Sequence, residues 1–210
     1  MSYIGNKPAN KAVVASDLDP AVITGQTALA VAPADTDEFL ISDAGVLKRL
    51  DASLVGGGIT VADNWRLNAD DAVDGTGTDL DTGWEQVDTT GQTNLGSSMT
   101  QSSGVFTFPS TGIYFVQLQL YYVNGTGASY TRSIIKHDNG SGSQTSLADV
   151  RGYAGSSEQD VVTSSTLFDC QNTSTDKVVF YGGGTVNGNV IAGSTSDNRS
   201  AATFIRLGDT

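Results

Sequence analysis

The stretch from residue 104 to residue 120 constrains the fold of this chain more than any other. Phe106 and Phe108 alternate along a short aromatic strand, and Pro109 and Gly112 then mark a turn. After the turn, alternate side chains separate onto the two faces of a second strand. One face is apolar, with Tyr114, Val116, Leu118 and Leu120, and the other is half polar, with Phe115, Gln117, Gln119 and Tyr121. This alternation predicts a β-sandwich with the apolar face in its core.

The order of residues in this stretch, Gly-x-Phe-x-Phe-Pro-x-x-Gly-x-Tyr, resembles the central hairpin of the globular heads in the complement first component and tumour necrosis factor superfamily. Weaker similarities lie on both sides of this stretch. The family's opening strand is matched by residues 65–68, and a short turn is matched by residues 136–140. Its late strand pair is matched by residues 167–179, and its closing strand by residues 202–207. The resemblance covers residues 59–210 and implies a jelly roll that assembles as a homotrimer. It implies no particular ligand, because such heads carry many functions.

The half-polar face of the second strand is the predicted trimer interface. Its side chains are expected to pack against sister subunits around a threefold axis, because obligate interfaces resemble the core of a domain. These interface residues are Phe115, Gln117, Gln119 and Tyr121. Tyr130 and Tyr153 stand among Gly and Ser, and we expect them in loops that contact a host surface. Ordinary exposed tyrosines are an equally good interpretation of these two residues.

The composition favours an all-β protein with an acidic surface. The chain has 25 glycines and is 16% charged, with 11 basic against 23 acidic residues and a formal net charge of −12. Many short strands joined by small-residue turns require such glycines, and no segment has the sustained period of a long helix. An acidic surface repels phosphate backbones and anionic lipids, so we predict neither a nucleic-acid partner nor membrane insertion.

The chain has a single cysteine, Cys170, so no intrachain disulfide can form. Cys170 alternates with Phe168, and we expect a buried structural thiol. The first residues lack a basic region followed by an apolar core, which predicts that there is no secretory signal. Stability is therefore expected to come from burial and from association between copies.

Three consecutive glycines, Gly56-Gly57-Gly58, divide the chain into residues 1–58 and residues 59–210. Before them, segments 38–42 and 46–50 flank Asp43-Ala44-Gly45, which predicts a β-hairpin with a three-residue loop. An isolated hairpin is marginal in water, so this one must pack against something else. Disorder of residues 1–58 is the alternative, because the part through Val22 is polar and irregular. A later run, Gly182-Gly183-Gly184, predicts a wide bulge.

The hairpin and the start of the chain resemble short elements near the start of bacteriophage tail-fibre and other virion structural proteins. The matching segments are residues 36–43, residues 47–51 and the opening Met1-Ser2-Tyr3-Ile4-Gly5-Asn6. The resemblance implies an extended attachment segment, residues 1–58, that binds other virion proteins. Its expected contact residues are Tyr3, Ile4, Phe39, Leu40, Ile41, Leu47 and Leu50.

The sequence offers few residues for catalysis, and we predict no enzyme activity and no cofactor. His137 is the only histidine and precedes a turn, and no nucleophile elbow is present. The segment from Asp70 to Asp81 is acidic enough to suggest calcium, but it fails the EF-hand pattern, so a solvated loop is the better interpretation. Asp79, Asp81 and Glu85 form the one cluster that a polysaccharide-degrading enzyme would use.

These features predict a non-enzymatic bacteriophage virion protein, a trimeric tail fibre or knob attached by its N-terminus and mediating host adhesion. A capsid decoration protein with the same trimeric head is the alternative, since both need an anchor followed by a compact head. The predicted partners are copies of the chain, other virion proteins, and a host cell-surface glycan or protein. The chain would assemble in the host cytoplasm and be exposed on the particle. A soluble signalling ligand is disfavoured, because secretory signal and disulfides are missing.

Overall fold

The structure is a computed structural model that describes residues 21–25, 27, 30–31, 33–34, 36–55, 58–73, 77–125, 129–184 and 189–210. The chain divides into two compact units, Met1–Gly57 and Gly58–Thr210. Regular structure outside the strands is limited to a short helix, α1 (Ala21–Thr24), and a 3-10 helix (Ala52–Leu54) within these described ranges. In the same ranges, no helix has the length and apolar character needed to cross a membrane.

The first unit contains a two-stranded antiparallel hairpin. Strands β1 (Glu38–Asp43) and β2 (Val46–Asp51) pair along their whole length. The hairpin prediction is therefore confirmed, but the predicted three-residue loop is wrong, because the last residue of β1 already pairs with the first residue of β2. Ala44 and Gly45 alone make the turn, with φ of 49° and 83°. Positive φ at both central residues defines a type I′ turn, whose twist matches that of the strands.

The second unit is a β-sandwich. Its strands are β3 (Ala62–Leu67), β4 (Asp71–Val73), β5 (Thr78–Asp79), β6 (Trp84–Gln86), β7 (Thr100–Ser102), β8 (Val105–Thr107), β9 (Gly112–Val123), β10 (Ser129–Asp138), β11 (Gln144–Ala154), β12 (Gln159–Cys170), β13 (Lys177–Gly184), β14 (Asn189–Ile191) and β15 (Ala201–Gly208). The six-stranded sheet has the order β11-β10-β13-β8-β7, with β5 also paired to β13. The seven-stranded sheet has the order β4-β14-β9-β15-β3-β6, with β12 also paired to β9.

The chain alternates between the two sheets, which makes the sandwich a jelly roll. It passes from β8 in the six-stranded sheet to β9 in the seven-stranded sheet, returns for β10 and β11, and crosses again to β12. Strands β13 and β15 repeat the alternation, β13 in the six-stranded and β15 in the seven-stranded sheet. The prediction of an all-β jelly-roll sandwich is confirmed.

Strands β8 and β9 do not form the hairpin that their sequence resembles. Strand β8 pairs with β7 and β13, whereas β9 pairs with β12, β14 and β15. The turn between them carries the chain across the sandwich. Gly112 ends the turn with a φ of 144°, and a Cβ at this position would lie 2.6 Å from the Gly208 carbonyl oxygen. Glycine is required at this crossing because a side chain would meet the neighbouring strand.

An aromatic cluster fills the centre of the sandwich. The Phe106 ring lies 5.3 Å from Trp84, 5.2 Å from Phe180 and 5.2 Å from Phe204, measured between centroids. Phe106 and Phe108 are 0% and 2% exposed, which confirms that they share a buried face. The apolar face of β9 completes the core with Tyr114, Val116, Leu118 and Leu120. Sequence alternation alone therefore identified the centre of the core.

The glycines of β13 do not form the predicted bulge. Gly182, Gly183 and Gly184 pair with Ser133, Arg132 and Thr131 in unbroken register. Their lack of side chains permits close packing instead, because a Cβ at Gly182 would lie 2.2 Å from Ile191 Cδ1 and 3.1 Å from the Tyr122 hydroxyl.

Gly182→Ala should therefore destabilise the fold. Adding a methyl group to a packed core costs about 1–3 kcal/mol, which denaturant unfolding would measure as a lower midpoint with an unchanged slope. Gly208→Ala is the matched control, because nothing lies within 4 Å of a Cβ at Gly208. Equal midpoints for the two variants would contradict the close packing at Gly182.

The single thiol is buried, as predicted. Cys170 is 0% exposed, and burial raises the pKa of the Cys170 thiol to about 11. The reactive thiolate is therefore scarce at neutral pH. We expect a thiol-specific reagent to modify the native chain far more slowly than the unfolded chain. Rapid modification of the native chain at neutral pH would contradict this burial.

The same thiol makes stability depend on alkaline pH. Its ordinary pKa is 9.0, and its pKa in the folded chain is about 11, so above pH 9 the unfolded chain binds fewer protons. The free energy of unfolding should fall across this interval. Cys170→Ala should have a shallower fall, measured by denaturant unfolding at a series of pH values. An identical slope for both chains would show that the thiol does not contribute.

Candidate self-association face

Strand β9 presents its half-polar side outward from the seven-stranded sheet. Its inward residues Tyr114, Val116, Leu118 and Leu120 are all 0% exposed. The outward residues are those predicted for the interface, Phe115, Gln117, Gln119 and Tyr121, and all are half-buried. The structure thus places the four predicted residues on one face. Their role in association stays a prediction.

The register of β12, β9 and β15 arranges the outward side chains in rows. Leu167, Phe115 and Ile205 form an apolar row, because Phe115 pairs with both of the others. Two polar rows follow, Ser165-Gln117-Thr203 and Thr163-Gln119-Ala201. Val161 pairs with Tyr121 in a second apolar row. Apolar bands therefore border a polar, hydrogen-bonding middle. We call the residues of these four rows the uncharged face.

The uncharged face contains no Asp, Glu, Lys or Arg among its residues, although the body around it is acidic. Residues 58–210 contain 16 acidic and 7 basic side chains. Leu167 and Val161 are 65% and 51% exposed on this face. Depletion of charge together with exposed apolar side chains is the composition of the buried centre of a protein interface. This face can therefore bury apolar rows against another surface with little desolvation of charge, although the exposed Arg199 lines a hollow together with Gln119, Tyr121 and Val161 at its border.

A buried arginine borders the uncharged face on β3. The Arg66 side chain is 1% exposed and donates hydrogen bonds to Glu85 Oε1 at 2.7 Å, Asp88 Oδ1 at 2.7 Å and Thr89 Oγ1 at 2.6 Å. It also donates to the carbonyl oxygen of Thr195. Arg66 thereby links the loop that follows β6, through Asp88 and Thr89, to the loop that precedes β15, through Thr195. Sequence reasoning missed this residue, and its only signal was an arginine between Trp65 and Leu67 in a predicted strand.

A buried carboxylate on the other side of β3 was also missed. Asp63 is 1% exposed and accepts hydrogen bonds from Trp65 Nε1 at 2.9 Å, Gln86 Nε2 at 2.9 Å and the Met99 backbone N–H at 2.8 Å. These donors satisfy the charge inside the sandwich, as buried carboxylates require. Asp63 and Arg66 are structural groups that hold the sheet carrying the uncharged face.

The structure does not place Tyr130 and Tyr153 in loops, so that prediction is wrong. Tyr130 lies in β10 opposite Tyr153 in β11, both strands of the six-stranded sheet. Their exposed fractions are 37% and 70%. Pairing between the two strands holds these residues, because β10 begins at Ser129 and β11 continues to Ala154. They are therefore on the sheet opposite the uncharged face, and their host contact stays a prediction.

The predicted attachment residues of the hairpin are largely solvent-exposed within this chain. Leu40 and Leu47 are 73% and 70% exposed, and Phe39 is 40% exposed. Ile41 and Leu50 are half-buried. Tyr3 and Ile4 lie outside the described residues. The hairpin thus presents apolar side chains that the other described residues of the first unit do not cover.

The residues considered for catalysis are separated and engaged elsewhere. Glu85 in β6 binds Arg66, whereas Asp79 in β5 pairs with Lys136 at 2.9 Å on the other sheet. His137 Nε2 lies 3.3 Å from Asp176 Oδ1. The raised pKa of the buried Cys170 thiol disfavours a nucleophile there. The absence of enzyme activity stays a prediction.

The acidic segment predicted as a solvated loop contains two short strands, β4 and β5, while Asp74, Gly75 and Thr76 lie outside the described residues. Burial, and secondarily the charge of Asp81, raise the pKa of Asp71. Across the described part of the chain, no cluster of three His, Cys, Asp or Glu side chains is arranged to hold a metal ion.

No protein-family model and no curated protein matches the chain. Among solved structures, murine APRIL is 15% identical and covers 70% of this chain and 98% of its own, with a TM-score of 0.49. Eiger TNF from S. frugiperda is 14% identical and covers 73% of this chain and 96% of its own, with a TM-score of 0.47. PRD1 vertex protein P5 is 17% identical and covers 72% of this chain and 100% of its own, with a TM-score of 0.42. The strand order given above defines the jelly roll, and these likenesses add no function to it.

Proposed function

We propose that this chain is a structural protein of a bacteriophage particle, a homotrimeric knob that residues 1–58 attach to the particle and whose jelly roll is exposed for host adhesion. The uncharged face is the observation that carries the proposal. A net charge of −12 keeps most of such a chain apart from its copies, yet this one face lacks charge and exposes Leu167 and Val161. Burying it between copies stabilises an assembly, and the resemblance of the head motifs favours three copies.

The exposed hairpin supports the attachment part of the proposal. A two-stranded hairpin is at best marginal in water, and Leu40 and Leu47 present apolar area on one of its faces. Covering a leucine side chain contributes about 1.5–3 kcal/mol before ordering costs are subtracted. Binding of the hairpin to another virion protein would bury these leucine side chains. Several trimers on one particle would then strengthen weak contacts with a host through multivalency.

Purified particles test this proposal. An antibody against the full chain should label intact particles, and quantitative mass spectrometry should give the copy number. A few dozen copies or fewer at the tail would identify a fibre, and hundreds on the shell would identify a decoration protein. A particle that lacks the chain would overturn the proposed function.

A hairpin variant tests the attachment itself. A full chain with Leu40→Glu and Leu47→Glu should keep the mass of the parent but fail to enter particles, because two charges replace the apolar dock. Val31→Glu is the control, since it changes another apolar residue of the first unit that is 73% exposed. Normal incorporation of the double variant would contradict the attachment role of the hairpin.

A further inference from the structure

The outward side of the six-stranded sheet carries a second surface of distinct chemistry. Tyr130 pairs with Tyr153, and Arg132 pairs with Arg151, in consecutive outward rows of β10 and β11. We call these four residues the tyrosine–arginine face. Two of the 7 basic residues in positions 58–210 thus lie side by side next to two aromatic rings.

Tyr153 and Arg151 are the accessible members of this face. Tyr153 is 70% exposed, and the Arg151 side chain is 55% exposed. The Arg151 guanidinium carbon lies 5.3 Å from the centre of the Tyr130 ring, within the range of a cation–π interaction. This contact with Tyr130 orients the guanidinium of Arg151. The Arg151 side chain still has more than half of its surface in contact with solvent.

The carboxylate of Asp149, which pairs with Ile134 in the next row, is already neutralised. Asp149 accepts hydrogen bonds from Arg132 Nε at 2.7 Å and from Arg132 Nη2, and this pairing lowers the pKa of Asp149. Arg151 Nε is 3.9 Å from the same carboxylate, which is beyond hydrogen-bond distance. Arg151 therefore retains donors for a further anionic group, on a body that is otherwise acidic.

Arg132 pairs on its other side with Gly183 of β13, and Tyr181 lies two residues before Gly183 on the same outward side. The Arg132 side chain and the Tyr181 ring cover Gly183, because a Cβ there would lie 3.3 Å from Arg132 Cβ and 3.3 Å from Tyr181 Cε1. The accessible part of this face is therefore the side that Arg151 and Tyr153 form.

We propose that the tyrosine–arginine face binds a carboxylate-bearing sugar unit of a surface glycan. A guanidinium matches a carboxylate in bidentate geometry, and an exposed tyrosine supplies a flat apolar body with a polar tip. This inference deepens the adhesion part of the proposed function and rests on it for its biological setting.

A nucleic acid is disfavoured, because its extended phosphates would meet the acidic remainder of the surface. A protein partner is disfavoured because a stable interface covers about 800 Å² on each side around a buried anchor, whereas the well-exposed members of this face are Arg151 and Tyr153 alone.

A panel of immobilised oligosaccharides tests this proposal with the full chain. It contains hexuronate- and sialate-terminated oligosaccharides, each beside its methyl ester, which keeps the shape of the sugar and removes its charge. The acidic forms should bind better than their esters. Arg151→Gln and Tyr153→Ala should each weaken this binding about tenfold or more. Arg49→Gln, which changes an arginine of the first unit whose side chain is 77% exposed, is the control and should bind like the parent.

Equal binding of acids and esters, failure of every acidic member, or unchanged binding by Arg151→Gln would overturn the proposal. An oligoglutamate peptide that binds as well as the acidic sugars would also overturn it, in favour of an acidic protein partner. The mass of the assembled protein and its incorporation into particles are measured for the same variants. These measurements test the virion role separately from the sugar site. A parent chain that binds acidic sugars but never enters particles would leave the sugar site standing while the virion role fails.

Discussion

Phe115→Asp should convert the assembled protein into monomers without unfolding the jelly roll. Phe115 lies in the centre of an apolar row, between Leu167 and Ile205. In a threefold assembly each substitution occurs three times, and like charges brought together at an interface cost several kcal/mol. The side chain points away from the core, so the sandwich itself should remain intact. Sedimentation velocity would measure the change in mass, and circular dichroism would confirm the retained strands.

Tyr153→Asp is the matched control for this variant. It also places one carboxylate on an outward aromatic position, but on the six-stranded sheet, opposite the uncharged face. The control should keep the mass of the parent. If Phe115→Asp sedimented like the parent while folded, the uncharged face would not be the contact between copies.

Arg66→Met should destabilise the body of the protein clearly. Removing the guanidinium leaves Glu85 and the loop carbonyl of Thr195 without their buried cation. Loss of hydrogen bonds to a charged group costs about 1.5–3 kcal/mol, and the carboxylate of Glu85 that remains is 28% exposed. For a chain of this size that loss lowers the melting temperature by roughly 3–12 °C. Differential scanning calorimetry at one fixed protein concentration would measure it.

Two further variants identify the cause. Arg49→Met removes a cation whose side chain is 77% exposed in its pair with Glu38, and it should leave the melting temperature nearly unchanged. Arg66→Lys keeps the charge but not the planar fork that reaches several acceptors at once, so it should be intermediate. A melting temperature for Arg66→Met equal to that of Arg49→Met would contradict the role of Arg66 in linking the two loops.

The core of the sandwich could be predicted because a strand has a side-chain period of two. Once Tyr114 and Val116 were assigned to one face, every second residue of β9 followed, and the structure buries each of them completely. The same period placed Phe115 and Tyr121 together on the outward face. Local alternation therefore determined both the centre of the fold and the residues of the candidate interface.

Features that depend on distant partners could not be predicted in this way. The Arg66 side chain binds a carbonyl 129 positions away, and nothing local to β3 specifies that contact. The rows of the uncharged face require the register of β12, β9 and β15 together, which no single segment contains. The crossing from β8 to β9 resembled a hairpin because a turn sequence does not encode which sheet the next strand joins.

Sedimentation equilibrium of the full chain at micromolar concentration tests the central claim most directly. The account predicts a single species with three times the chain mass of 21.7 kDa, about 65 kDa. A species of 21.7 kDa that persists as the protein concentration rises would contradict association through the uncharged face.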